Sequence, residues 1–318
     1  MLIKKSLMAG SSLKAALAVN FMIGVIKSIV GTFTGSAAMI SEAYHSFADT
    51  FNQILLALGI TRSKREPDLE HPFGYKKVQF FWAFIVAIMI FGISGTLAIY
   101  EGYQILNHPE GHVFHPELFI WQILVLVIAI VLESYALSTA VKEARAYMNK
   151  VNSNSLIEAV DEMQDPVLLS LLTEDTLALV GLVIALIGSI ITYITGDAIF
   201  DGYTSIAIGL VLMTGGLLLA RENKTYLVGK AVSSRIQKQI LDIVESFEGV
   251  KVINSMKTML LGPDDLLLVM DITFTNSAVA GDNGVADEID LLEQKLSDAI
   301  EILSPDKIYI ESQIDIEN

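Results

Sequence analysis

Ser41-Glu42-Ala43-Tyr44-His45-Ser46-Phe47-Ala48-Asp49 sets two acids and a histidine inside Gly35–Ile60, a stretch that otherwise reads as a long apolar helix. His45 and Asp49 stand four residues apart, about one helical turn, so both side chains leave the same face and can grip one ion. With His45 at zero and about 100° per residue, Asp49 falls near about +40°, Glu42 near about +60° and Asn52 near about −20°. Met39, Phe47, Leu55 and Leu56 lie largely off that narrow stripe. An ionisable group in hydrocarbon costs about 2.5–3.5 kcal/mol or more on insertion scales, so such a stripe faces protein or a water-filled path and marks a functional site. A bare His–Asp hydrogen bond tying two helices together would need fewer ionisable groups.

The rest of the chain sets this helix among others like it. It has 318 residues, 53% hydrophobic and 18% charged. Uncharged runs cover Val78–Tyr100, Thr176–Gly196 and Gly202–Ala220, and Leu118–Val141 is interrupted only by Glu133. Crossing a hydrocarbon core about 30 Å thick takes roughly 20 helical residues, which each run supplies. Leu13–Phe33 and Gly35–Ile60 are less pure, with Lys14, Lys27, Glu42, His45 and Asp49, and complete six expected transmembrane helices. Lys27 lies close enough to a span end to snorkel, and Glu133 is a candidate to pair with it or face a cavity. Lys4 and Lys5, then Arg62, Lys64, Arg65, Lys76 and Lys77, then Lys142, Arg145 and Lys150, then Arg221, Lys224 and Lys230 alternate with connections that carry no Lys or Arg. That bias predicts a multi-pass protein of the cell inner (plasma) membrane with both termini cytoplasmic. The first apolar stretch has no evident small-residue cleavage site and reads as a span, not a removable signal peptide.

After residue 222 the pattern changes. Residues 1–222 read as a transmembrane transport domain and residues 223–318 as a cytoplasmic domain that no run is long enough to anchor. Ser233–Phe247 is periodic as a helix. Val250–Leu261 and Leu266–Thr275 read as strands around the turn Gly262-Pro263-Asp264-Asp265, Asp287–Leu303 as a second helix and Lys307–Ile314 as a third strand. The order αββαβ predicts a small α+β domain with helices on one face of a sheet, small enough to favour dimerisation. This segment holds 17 acidic and 8 basic residues, the larger part of a net −15. That balance argues against nucleic acid and anionic lipid as partners. Without cysteine the chain offers neither disulfides nor thiolate metal sites.

The fifth span supplies partners for the stripe: Leu171-Leu172-Thr173-Glu174-Asp175-Thr176-Leu177 sets two acids before an apolar run. One imidazole with two or three carboxylates suits a four-coordinate divalent transition metal. His45, Asp49 and Asp175 are the first candidates. Glu174, rotated about 100° from Asp175, is expected to face an entry path, and Glu42 is a further candidate.

Gly35-Ser36-Ala37-Ala38 followed by Glu42 to Asp49 resembles the second-helix signature of the cation diffusion facilitator family, and Asp68-Leu69-Glu70-His71-Pro72-Phe73-Gly74-Tyr75 resembles its following loop. Asp165-Pro166 through Leu172-Thr173-Glu174-Asp175-Thr176 is similar to the branch that includes an animal mitochondrial zinc transporter. The resemblance implies a homodimeric exporter of Zn²⁺ or another divalent metal, with a ferredoxin-like tail, working by metal/proton antiport through alternating access. The metal is then substrate, with no further cofactor, and the chain is not an enzyme. The family's site joins two residues of the second helix to two of the fifth, but Leu171 stands where the fourth ligand is expected, which leaves Mn²⁺, Fe²⁺ and Co²⁺ open beside Zn²⁺. Asp68 and His71 resemble part of a second, weak loop site whose third histidine is replaced by Tyr75. His108, His112 and His115 form a further cluster, read first as solvated loop residues. Of the other classes, a membrane metalloenzyme would need a general base and a nucleophile or HExxH motif that the sequence lacks. A non-transporting metal-responsive scaffold and a passive channel also remain.

Overall fold

The computed structural model describes residues 2–108, 116–151, 165–275 and 284–314. Their contacts form two compact units. Of the described residues, one unit holds those up to 61, from 81 to 151, and from 165 to 224; the other holds 62–80 and those from 225 onward.

The first unit is helical: α1 (Leu2–Thr34), α2 (Ala37–Ser63), α3 (Val78–Asn107), α4 (Phe119–Val151), α5 (Pro166–Thr195) and α6 (Ile199–Val228). Among the described residues four stretches are long and apolar enough to cross a membrane: α3, Phe119–Ala146 within α4, α5 and α6. In α1 the apolar part is the shorter Asn20–Thr34. Local sequence sets the ends. Gly35 takes a left-handed conformation (φ 71°) that stops α1, and Ser36 Oγ then accepts the Met39 amide at 3.2 Å to start α2. Asp165 caps α5 through the amides of Val167 (2.8 Å) and Leu168 (3.2 Å), with Pro166 in the first turn, where its missing N–H costs nothing.

Small residues let helix backbones meet where lipid supplies no hydrophobic drive. Gly202, Gly209 and Gly216 recur every seven residues on α6 and face α3. A Cβ on Gly209 would sit 2.7 Å from the Gly95 carbonyl oxygen, and one on Gly216 would sit 2.6 Å from the Phe91 nitrogen. Within α3 the segment Ile90–Gly95 widens into a π-helical turn beside this contact. A polar knot holds one end of the bundle. Asp201 of α6 accepts from Ser36 Oγ at 2.8 Å, from the Ala37 amide and from the Ala38 amide at 3.3 Å, so it caps α2 from a neighbouring helix. Gln122 of α4 donates to Ser36 Oγ (3.0 Å) and Ser189 Oγ of α5 (2.7 Å).

The second unit follows the expected αββαβ order: α7 (Ser234–Glu245), β1 (Val250–Gly262), β2 (Asp265–Phe274), α8 (Val285–Ala299) and β3 (Leu303–Ile314). The sheet runs β1-β2-β3. The β1–β2 pair is antiparallel around Pro263-Asp264, with Leu260 opposite Leu266 and Gly262 opposite Asp265. The β2–β3 pair is parallel, which requires a crossover, and α8 supplies it. Alternate β2 residues Leu266, Leu268, Met270, Ile272 and Phe274 bury one face under Ile240 and Val244 of α7 and Leu292 and Leu296 of α8. Each such side chain contributes about 1.5–3 kcal/mol when fully buried. The helix expected to reach Leu303 stops at Ala299. Ile300 is extended (φ −115°, ψ 97°), and Leu303 already pairs with Leu266 as the first residue of β3. Apolar spacing alone reads Ile300 and Leu303 as one more helical turn. The sheet claims Leu303, buried to 3% exposure, instead.

Candidate metal centre

Helix α2 buries its whole polar stripe: Glu42 (0% exposed), His45 (1%), Ser46 (2%), Asp49 (5%) and Asn52 (0%). Phe51, Ile54 and Leu58 turn outward instead. His45 Nε2 lies 3.5 Å from Asp49 Oδ2, one turn along, too far for a firm hydrogen bond. Both ring nitrogens of His45, Glu42 Oε1 and Asp49 Oδ1 have no hydrogen-bond partner among the described residues, and Glu174 Oε1 of α5 has none either. A buried polar atom left unpaired costs about 1–3 kcal/mol, and native interiors hold few of them. Their concentration on α2 and α5 marks a candidate site of one imidazole and three carboxylates, all metal-compatible donors.

The α5 acids are ordered by helix rotation. The buried face of α5 runs Ser170, Glu174, Ala178, Gly181, Ala185 and Gly188, so Glu174 (3% exposed) points inward while Asp175 is only partly buried. The expected order, Asp175 ahead of Glu174, is not the order of burial. Leu171 packs against the apolar core, and one turn before Glu174 stands Ser170, whose hydroxyl is spent on the Pro166 carbonyl at 2.8 Å. Among the described residues no group of three or more His, Asp or Glu side chains is drawn together tightly enough to hold an ion as it stands.

Lys27 does not snorkel. It is 1% exposed and turns inward, its ammonium 3.2 Å from Glu42 Oε2 and 2.9 Å from Ser46 Oγ. A single lysine in an apolar run has no periodicity to betray its direction, so sequence reading had no signal for this pair. Glu133 of α4 is also buried, at 7% exposure. Further along, Tyr44 donates to Glu101 Oε1 of α3 at 2.9 Å, and Ser205 Oγ of α6 lies 2.5 Å from Ser41 Oγ and donates to the Ala98 carbonyl.

In the connection between α2 and α3, Asp68 organises a turn. Its Oδ1 accepts the amides of Glu70 (3.1 Å) and His71 (2.7 Å), and its Oδ2 accepts the Tyr75 hydroxyl at 2.6 Å. The Tyr75 hydrogen bond, then the His71 amide, hold the Asp68 carboxyl below its usual range, and the same bond pushes the Tyr75 phenol up. His71 Nδ1 stands 3.6 Å from Asp68 Oδ1, and its ring leans on that of Tyr75 with centroids 4.3 Å apart. Tyr75 therefore fills, with a hydrogen bond, the place the resemblance gives to a third ligand. His108 ends α3; His112 and His115 lie outside the described residues.

Comparison with known proteins adds independent findings. Over 299 residues the chain is 28% identical to the proton-coupled zinc antiporter SLC30A9, mitochondrial, of Mus musculus, covering 94% of this chain and 51% of that protein. It is 28% identical over 268 residues to metal tolerance protein C4 of Arabidopsis thaliana (83% of this chain, 57% of the relative). It is 35% identical over 111 residues to the magnetosome protein MamM of Paramagnetospirillum magneticum (35% of each). The chain thus spans about half the length of the first two. The sequence model of the cation efflux transmembrane domain matches residues 13–228, from within α1 to the end of α6 and across every buried donor described above. On that match the chain belongs to the cation efflux family, the cation diffusion facilitators.

Proposed function

We propose that this protein exports a divalent transition metal, Zn²⁺ foremost, in exchange for protons, with His45, Asp49 and Glu174 as ligands and Asp175 as the carboxylate nearest the entry path. The observation that carries the reading is the set of buried, unpartnered donors on α2 and α5. Metal binding needs a neutral imidazole and ionised carboxylates, so metal entry expels protons and proton entry expels metal. Alternate exposure of the set to the two sides makes the cycle an antiport. The SLC30A9 relative is by name a proton-coupled zinc antiporter, in line with this reading. A carboxylate-rich set also suits Mn²⁺, Fe²⁺ or Co²⁺, which is the alternative within transport. A metal-responsive scaffold is the alternative outside it.

In this reading all six helices of the first unit span the inner (plasma) membrane. Both termini are cytoplasmic on the evidence of the Lys/Arg bias, and the αββαβ unit joins two copies in a homodimer. Asp68 and His71 are at most a weak accessory site. The test is metal uptake by the full chain reconstituted in vesicles, followed with a metal-responsive dye with and without an imposed pH gradient. Uptake that accelerates with the gradient and is lost in His45→Ala is the expected result. Gradient-independent uptake would end the antiport reading, and absent uptake would favour the scaffold.

A further inference from the structure

Glu42 shares the buried stripe with His45 and Asp49, yet its surroundings set it apart. The Lys27 ammonium of α1 is 3.2 Å from Glu42 Oε2 and 2.9 Å from Ser46 Oγ, so it bridges two successive turns of α2 on either side of His45. Glu42 Oε1 lies against α5, where a Cβ added to Gly181 would meet it at 2.6 Å. The carboxylate is thus wedged among three helices and matched to a fixed cation before any metal arrives. Lys27 and Glu42 are 1% and 0% exposed, and removing either partner of a buried pair strands the other charge. Asp49, Glu174 and Glu42 each carry one unpartnered oxygen, but only the Glu42 carboxylate has an ammonium on its other oxygen, at 3.2 Å. Gly181, with no side chain, leaves the carboxylate this room.

We infer that Lys27 sets metal selectivity: its ammonium withholds Glu42 from the metal and so limits the number of carboxylates the ion meets. This rests on the reading of His45 and Asp49 as ligands. A set with one more carboxylate oxygen favours harder ions, Mn²⁺ over Zn²⁺, so the ammonium tilts the site towards the ion that prefers imidazole. Lys27 is a positioning residue, acting through Glu42.

The inference is tested by calorimetric titration of the purified full chain with Zn²⁺ and with Mn²⁺, on fractions that elute as a single species. Lys27→Met is expected to tighten Mn²⁺ relative to Zn²⁺ by about tenfold, the low end of the effect of changing a partner that holds a potential ligand. Lys27→Met combined with Glu42→Gln is expected to return the ratio to the parent value. An unchanged ratio in Lys27→Met overturns the inference, as does a ratio that stays shifted in the double variant. If Lys27→Met does not fold, Lys27→Gln, which is polar but uncharged, carries the same test with the same expected shift. His45→Ala separates the two levels: undiminished metal binding there removes the ligand reading itself, while lost binding there with an unshifted ratio in Lys27→Met removes only the role given to Lys27.

Discussion

Neighbouring residues on a helix point about 100° apart, so Glu174 and Asp175 cannot serve one ion equally. Burial separates them, with Glu174 on the inward row of Ser170, Ala178 and Gly181 and Asp175 at its margin. If Glu174 is the α5 ligand, Glu174→Gln lowers metal affinity by at least about tenfold, the smaller loss usual when a metal site loses a supporting group. Asp175→Asn is expected to cost less in affinity and to slow uptake instead, through loss of charge on the entry path. Titration and vesicle flux on both variants decide it, and the reverse ranking would return Asp175 to the cage. The buried stripe of α2 was legible from sequence, because four polar residues recur at helical spacing in an apolar run. On α5 only the pair of acids was legible, not which of them turns inward. From Leu177 to Gly188 that helix is apolar all round, which leaves its rotation to packing partners such as Glu42 against Gly181.

Elements were readable wherever composition changes sharply. Long uncharged runs became α3 to α6, and the αββαβ order of the tail was visible in its change of period. The exchange of Leu303 from helix to strand shows the limit, since a short apolar tail has the same spacing in either until a partner such as Leu266 claims it. Contacts made in trans were equally hidden. Asp201 reads as an ordinary acid at the start of α6, yet it receives Ser36 and the first amides of α2. Losing a capping side chain costs about 0.5–2 kcal/mol, and leaving buried donors unpaired adds about 1–3 kcal/mol. Asp201→Ala is therefore expected to lower the melting temperature of the detergent-solubilised protein and to lower metal flux with it, because the freed end belongs to the helix that carries His45 and Asp49. Asp201→Asn keeps an acceptor and should lose less. Equal melting of all three proteins would show that the cap contributes nothing.

At the scale of the whole molecule, the connection that leaves α2 and enters α3 belongs, by its packing, to the αββαβ unit. Phe80 is fully buried and stacks on Tyr226, with ring centroids 4.8 Å apart, inside the cluster built by β2, α7 and α8. Lys76 reaches buried Asp265 at 3.4 Å, which Lys307 also holds at 2.5 Å, and Phe73 meets the Tyr309 ring edge-on. Ser63 closes α2 and Val78 opens α3, so the chain that carries His45 and Asp49 runs directly into this anchored stretch. A change in the second unit can therefore reach α2 along the backbone. Phe80→Ala tests that route without touching a ligand. Truncating a buried Phe costs about 3–5 kcal/mol, and for a unit of roughly 100 residues each 1 kcal/mol lowers the melting temperature by about 4–8 °C. Calorimetry of the full chain should then show the transition of the αββαβ unit falling by more than about 10 °C. If the route matters to transport, vesicle uptake falls at temperatures above that lowered transition and recovers below it, while metal affinity stays at the parent value. Uptake insensitive to the melting of that unit would leave the tail a role in assembly alone.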